Sequence, residues 1–201
     1  KGVALWVIKK DGTRPAAFTE PFHVPAYLAG LEDLGDNIVG LTNQVAVADL
    51  DPDVPGLDVV FAGYDGKVHL VGADRKERWT FTYTTAANVL TGGFVVADLS
   101  ADGVPEIVFA TYSTDAGKSS LFVLDATGTE RAKLALPGRG AMAVPTVADI
   151  DGDGALEILV NLKDSSTTAG LVFTVRGSQG NCLPWPTGRA NYLRSGYVRR
   201  K

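Results

Sequence analysis

Cysteine and histidine are nearly absent from this chain of 201 residues, which contains one cysteine, Cys182, and two histidines, His23 and His69. A single cysteine cannot form a disulfide within the chain, although it could pair with a segment of a longer precursor. With so few sulfur and nitrogen ligands, a zinc or haem site is disfavoured. We expect both histidines to be structural or surface residues.

Long apolar runs are also missing, since no stretch of eighteen apolar residues occurs and no transmembrane helix is predicted. No signal peptide is visible either. The chain begins with Lys1 rather than methionine, from which we expect a processed product or a fragment. The formal charge is −4 and basic residues are not interleaved with aromatic ones, which disfavours binding to nucleic acid.

The short motifs of common catalytic sites are absent as well. The sequence contains no Gly-x-Ser-x-Gly, no His-Glu-x-x-His and no phosphate-binding glycine loop. Glycoside hydrolysis would require a pair of carboxylates, but the acidic residues are largely concentrated in three loops. The sequence therefore argues against an enzyme, and a polysaccharide-active enzyme remains only as an alternative.

Three acidic loops stand out in a chain that is otherwise rich in glycine. They are Asp49–Asp58, Asp98–Glu106 and Asp149–Glu157, and their first residues lie about fifty positions apart. Each loop follows a short apolar run ending in Val-Ala-Asp and precedes another apolar run. Strand–loop–strand units at this period are typical of a repeat architecture, and a propeller blade has about this length.

The third loop has the most complete set of metal ligands. Alternate residues of a turning loop can direct their oxygens to one point, and Gly154 allows the sharp turn. Several convergent carboxylates favour calcium, which accepts six to eight oxygens at loose geometry, over magnesium. The predicted ligands are Asp149, Asp151, Asp153, Glu157 and the backbone carbonyl of Ala155.

The other two loops follow the same pattern with one change each. Ser100 replaces a carboxylate in the second loop, and the first has one extra residue, for which we expect a bulged turn at 54–56. The alternative for each loop is an acidic surface turn without metal. An EF-hand is excluded, because the twelfth loop position is Phe109 or Val160 rather than glutamate. The predicted ligands are Asp98, Ser100, Asp102, Glu106 and the Val104 carbonyl in the second loop, and Asp49, Asp51, Asp53 and Asp58 in the first.

The signals around these loops predict an all-β chain of four-stranded antiparallel blades. The innermost strands are predicted at Val45–Ala48, Val95–Ala97 and Val147–Ala148. The N-terminus matches only the last two strands of a blade, at Val3–Ile8 and Arg14–Phe18, and needs two further strands from upstream sequence, another chain or its own C-terminus. The predicted division of this single partial propeller is a half blade with a connection over 1–43, then blades over 44–90, 91–140 and 141–201.

The motif Asp-x-Asp-x-Asp-Gly-x-x-Asp/Glu between Val-Ala-Asp and Ile-Val resembles the FG-GAP/VCBS repeats of calcium-binding β-propellers, including the head of integrin α subunits. Residues 44–177 carry this resemblance and 2–18 fit it weakly, while 183–196 is similar to the closing segment of secreted bacterial members. The resemblance implies about three and a half blades of a propeller with about six to eight. It also implies up to three Ca²⁺ ions and a binding or adhesion role outside the cytoplasm.

The leading hypothesis is therefore a non-catalytic, calcium-stabilised module that is secreted or at the cell surface, with the periplasm as an alternative, and that binds a protein or a glycan. A second hypothesis is a structural subunit completed by another polypeptide, on which the basic end could seat; the alternative for that end is a solvated tail. Trp185, which stands between two prolines, is predicted to be a packing anchor rather than an exposed ligand platform. The basic residues of that end are Arg189, Arg194, Arg199, Arg200 and Lys201.

Overall fold

The computed structural model describes residues 2–25, 28, 44–51, 53–164, 169–179, 183–193 and 195. Across these residues the chain is all-β, as predicted: strands alternate with turns, and the described helical structure is a single 3₁₀ turn at Ala16–Phe18. No helix in the described segments has the length and apolar character needed to cross a membrane.

The N-terminal segment departs from the prediction. Strand β1 (Val3–Leu5) pairs with β2 (Phe22–Val24), which the sequence had placed in the connection. The predicted strand at Arg14–Phe18 is wrong. Pro15 has a φ of −60° and no N–H group to give to a ladder, and its carbonyl accepts a hydrogen bond from the N–H of Phe18 at 2.9 Å. The segment therefore turns instead of extending.

Two four-stranded antiparallel sheets follow in simple chain order, and a third sheet contains three strands within the described residues. The predicted innermost segments lie on the first strand of each sheet. The first sheet consists of β3 (Ala46–Ala48), β4 (Asp58–Ala62), β5 (Lys67–Val71) and β6 (Glu77–Thr82); the second of β7 (Val89–Ala97), β8 (Glu106–Ser113), β9 (Ser119–Leu124) and β10 (Glu130–Leu136); the third of β11 (Thr146–Ala148), β12 (Leu156–Asn161) and β13 (Gly170–Val175).

The second sheet is apolar on both faces, which explains its long runs of hydrophobic residues. Phe94 and Val96 of β7 pack into the cluster shared with the first sheet, whereas Val95 and Ala97 pack into the cluster shared with the third. Neighbouring residues of a strand point to opposite faces. The sheets therefore stack face to face, with the second between the other two, as propeller blades do.

A separate apolar cluster joins the N-terminal segment to the outer face of the first sheet. Phe18 and Val24 pack there against Phe61 of β4 and Val71 of β5. The N-terminal strand pair thus covers a face of the first sheet that would otherwise expose large apolar side chains.

His69 of β5 is buried beside this cluster, where its ring stacks on Phe61 with 5.2 Å between ring centroids. Its Nδ1 lies 2.7 Å from Oε1 of Glu77, and its Nε2 lies 3.2 Å from Oδ1 of Asp65. Burial disfavours the charged ring, but the hydrogen bonds to the two carboxylates more than offset that effect and raise the pKa of His69. His69 is thus a buried residue bonded through both ring nitrogens, which agrees with the expectation of a structural rather than a ligand role.

The C-terminal tail lies between the first strands of the second and third sheets. Trp185 and Val96 exchange two backbone hydrogen bonds, of 2.8 and 2.9 Å, and the N–H of Val147 donates to the carbonyl of Pro186 at 2.8 Å. The Trp185 side chain is only 6% exposed and belongs to the cluster between the first two sheets. The predictions for Cys182, for most of the connection over 26–43 and for the basic residues after 193 lie outside the described residues.

Candidate metal centres in three acidic loops

Each acidic loop occupies the same place in its sheet, between the first strand and the second. A parallel bridge joins Gln44, which precedes β3 of the first sheet, to Gly93, which lies within β7 of the second sheet. These two strands therefore run in the same direction, and the loops that follow them emerge at the same end of the stacked sheets.

The last carboxylate of every loop is held by the same hydrogen bond. It accepts from the backbone N–H of the second loop residue and so closes the loop on itself. In the first loop the N–H of Val54 donates to the carbonyl of Asp51 at 3.2 Å, a turn that begins before the bulge expected at 54–56. The closing pairs are Leu50 with Asp58 at 2.9 Å, Leu99 with Glu106 at 2.6 Å and Ile150 with Glu157 at 3.0 Å.

The third loop brings three exposed carboxylates together. Oxygens of Asp149, Asp151 and Asp153 lie within 4.8 Å of one another. Asp149 accepts hydrogen bonds from the N–H groups of Gly152 at 2.8 Å and Gly154 at 3.1 Å. Both glycines have a positive φ, 79° and 91°, which side chains with a Cβ rarely adopt. Glycine at these two positions thus lets the loop wrap around the Asp149 carboxylate.

The second loop repeats this wrapping with fewer charges. Asp98 accepts a hydrogen bond from the N–H of Gly103 at 2.9 Å, and Asp102 accepts one from the N–H of Val104 at 2.8 Å. Asp98 is 1% exposed. Burial, partly opposed by the hydrogen bonds from Leu99 and Ser100, raises the pKa of Glu106.

Two buried carboxylates in these loops each have an oxygen with no partner among the described residues. They are Oδ1 of Asp98, in the second loop, and Oε1 of Glu157, in the third, where the side chain is 2% exposed. A buried oxygen without a hydrogen bond costs roughly 1–3 kcal/mol, and more when it is charged. A cation beside such an oxygen would remove that cost, and oxygen donors are the ligands that hard cations prefer.

The first loop contains a cation supplied by the protein itself. Nε of Arg78, on β6, lies 2.7 Å from Oδ2 of Asp51, and the same guanidinium contacts Asp74 at 2.9 Å. The side chains of Arg78 and Asp51 are 15% and 20% exposed, so the pair is largely shielded from water. The neighbouring carboxylate, Asp58, is buried, which raises its pKa, although its two backbone hydrogen bonds and Arg78 act in the opposite direction.

The structure places the predicted ligands differently from loop to loop. Within the described residues, only the three aspartates of the third loop form a cluster of at least three convergent acids. The last acids of all three loops, such as Glu157, lie deeper and fix the loop backbone. Val104 and Ala155, predicted as carbonyl ligands, use their N–H groups to bond the preceding aspartates. Sequence reasoning did not identify Arg78, because it lies 27 positions after Asp51.

Comparison with known proteins confirms the resemblance that the loops carry. Residues 98–160 match the family described as FG-GAP-like repeat, a span that runs from the second loop through the third. No curated protein matches the chain. Among solved structures, the chain is similar to the crystal structure of the biofilm matrix protein Bap1 of V. cholerae, with 17% sequence identity and a TM-score of 0.44. That similarity covers 68% of this chain and 22% of the Bap1 chain.

Proposed function

We propose that this chain is part of a calcium-stabilised, non-catalytic β-propeller that works outside the cytoplasm as a binding or adhesion module. The observation that carries the proposal is the pair of unpartnered buried oxygens, on Asp98 and Glu157, in loops whose other donors are also oxygens. Calcium would supply the positive charge that these loops lack.

The second and third loops fit calcium best. The third has the larger carboxylate set, while the second offers a hydroxyl at one position and should bind more weakly. Weak oxygen sites fill at the near-millimolar calcium found outside cells, with Kd of about 10⁻⁴–10⁻³ M. The ligands would come from Asp149, Asp151, Asp153, Glu157 and the Ala155 carbonyl in one loop, and from Asp98, Ser100, Asp102, Glu106 and the Val104 carbonyl in the other.

The first loop fits calcium poorly, since Arg78 already neutralises Asp51 at 2.7 Å. A divalent ion there would lie close to a fixed guanidinium and be repelled by it. We therefore propose two calcium sites in the described loops, with the guanidinium taking the place of a third ion. This proposal replaces the expected calcium site at Asp49, Asp51, Asp53 and Asp58, which no observation tests.

The binding role is inferred by analogy with FG-GAP-like repeats, which residues 98–160 match. A fold does not by itself define a function, and the partner, a protein or a glycan, is therefore part of the proposal. A secreted or surface location agrees with weak calcium sites, which would be largely empty at cytoplasmic calcium levels.

A subunit completed by another polypeptide is the second candidate. Leu159 and Val172 pair across β12 and β13 on the face of the third sheet that points away from the second, and Val172 is 55% exposed. A further blade would bury this face in the way that the N-terminal segment buries Phe61. Sedimentation of the native protein, before any partner is removed, would distinguish a single chain from an assembly with another polypeptide.

The calcium claim is tested by thermal unfolding with a chelator, with Mg²⁺ and with increasing Ca²⁺. A site filled at ten times its Kd adds about 1.4 kcal/mol, so two sites should raise the Tm by roughly 6–11 °C in a chain of this size. Magnesium should rescue poorly, because it demands a strict octahedron.

The matched variants for this experiment are Asp149→Asn, in the third loop, and Asp115→Asn, which removes the same charge from an exposed site at the opposite end of β8. Only the first should reduce the calcium-dependent rise in Tm. A parent protein whose Tm is the same in chelator and in calcium would rule out the proposal.

A further inference from the structure

A cavity of about 460 Å³ opens between the second and third sheets, at the opposite end of β7 and β11 from the acidic loops. Its described lining comes from the residue before β3, the first half of β7, the segment that leads into β11, the end of β12 and the C-terminal tail. The polar groups are the amides of Gln44 and Asn161, the hydroxyls of Thr146 and Thr187, and the phenol of Tyr192. Small-ligand pockets commonly measure about 300–1,000 Å³.

The described walls of this cavity are close-packed. A methyl group added to Gly92 would overlap the carbonyl of Met142, and one added to Gly188 would come within 2.5 Å of the side-chain oxygen of Gln44. The hydroxyls of Thr146 and Thr187 lie 3.1 Å apart and tie the tail to β11. A preformed pocket binds without a large ordering cost.

Tyr192 provides a fixed aromatic surface at this site. Its hydroxyl donates to the carbonyl of Val147 at 2.6 Å, yet the residue is 55% exposed. One end of the ring is therefore anchored while much of its surface faces water. A ring held in this way can accept an apolar C–H surface of a ligand with little loss of side-chain entropy.

The lining also limits the chemistry of the ligand, since it contains no acidic or basic side chain among the described residues. A charged ligand would lose water without gaining a counterion, which is costly. Amide and hydroxyl groups can instead donate to and accept from the hydroxyls of a neutral ligand. Ring C–H faces and many neutral hydroxyls occur together in saccharides.

We propose that this cavity binds a neutral saccharide, with Tyr192 stacking against one sugar ring and Asn161 and the threonine pair bonding its hydroxyls. The proposal rests on the proposed binding role of the module and names the class of ligand. It also assigns a different ligand to each end of the stacked sheets, since calcium would bind at one end and the saccharide at the other.

Isothermal titration of the whole chain in 2 mM CaCl₂ tests this site, with maltotetraose, cellotetraose and mannotetraose as separate neutral probes and tetragalacturonate as the charged one. At least one neutral probe should bind, and Tyr192→Ala should weaken that binding at least tenfold. Tyr192→Phe, which keeps the ring and loses its anchor, should fall between alanine and the parent. Asn161→Ala tests the hydroxyl contacts from the other wall and should weaken binding several-fold.

The Tm of each variant in calcium shows whether its fold is retained. Failure of all three neutral probes to bind at 10 mM would overturn the proposal, as would tighter binding of tetragalacturonate or unchanged binding by a folded Tyr192→Ala variant. If calcium stabilises the chain but no neutral probe binds, this site is refuted while the calcium-stabilised module stands. If a probe binds but calcium has no effect, the calcium sites are refuted and the cavity stands.

Discussion

Replacing Trp185 by alanine should destabilise the chain by about 3–5 kcal/mol, the usual cost of truncating a buried tryptophan. The indole is 6% exposed and packs in the cluster between the first two sheets, beside residues such as Phe94 and Val96. Both neighbours lie on β7, which is fixed by β8 on one side and by the backbone of Trp185 on the other, so they cannot collapse into the space left behind. The alanine variant can keep the backbone hydrogen bonds between Trp185 and Val96. The decrease in the free energy of unfolding therefore reports the contribution of the side chain.

Phenylalanine at the same position is the matched control. Nε1 of Trp185 is buried without a partner among the described residues, and such a donor costs roughly 1–3 kcal/mol. Trp185→Phe removes that donor and keeps most of the apolar area. Its free energy of unfolding should therefore fall by less than about half as much as that of the alanine variant.

Guanidinium unfolding in saturating calcium provides the measurement. Both variants should shift the midpoint without changing the slope, because the surface exposed on unfolding stays nearly the same. The Tm of the alanine variant should fall by about 6–20 °C, at 2–4 °C per kcal/mol for a chain of this size. An alanine variant that unfolds at the same denaturant concentration as the parent would refute the anchoring role.

Calcium titration should show a larger loss of affinity for Asp151→Ala than for Ser100→Ala, because the first removes a charge from the fuller ligand set; equal losses would contradict this ranking. Arg78→Gln should lower the free energy of unfolding by about 1–3 kcal/mol, since charged hydrogen bonds are lost. The same variant should allow an additional calcium ion to bind in the first loop. An unchanged number of bound ions by native mass spectrometry would contradict this second effect. The fold raises the pKa of His69, so the protonated ring stabilises the folded chain. This contribution to the free energy of unfolding is fully present below the unfolded pKa of about 6.5. It is lost as the pH rises through the folded pKa. The stability difference between the parent and His69→Gln, followed by urea unfolding from pH 5 to pH 9, should therefore shrink with rising pH, and a constant or growing difference would contradict it.

The strands around the acidic loops could be predicted closely from the sequence. The predicted strand Val45–Ala48 compares with the observed strand Ala46–Ala48, because apolar runs bounded by Asp/Gly turns leave little choice of position. At the N-terminus the same reasoning failed. The short extended segment around Pro15 looks like a strand in local sequence, but the actual partner of β1, Phe22–Val24, is chosen by packing against Phe61.

The candidate site was only partly predictable, for a related reason. The loop acids and glycines are local in sequence, whereas the salt bridge between Arg78 and Asp51 forms only when the first sheet brings β6 beside the loop. The sequence does contain one local pattern, because Glu-Arg begins the fourth strand of both four-stranded sheets. In the second sheet, however, the arginine of this pair, Arg131, bonds Asp125 of its adjacent turn at 3.0 Å. The pattern therefore does not identify Arg78 as a partner of the loop. The cavity joins distant parts of the chain, from Gln44 to Tyr192, so no sequence pattern marks it.

Calcium stoichiometry is the most direct test of the central claim, that the second and third loops are metal sites while the first is neutralised by Arg78. Native mass spectrometry of the chelator-treated chain after addition of Ca²⁺ should show two ions bound. Each of the variants Asp98→Asn and Asp149→Asn should lose one ion, and the double variant should lose both. A parent chain that binds no calcium, or a double variant that still binds two ions, would contradict the account.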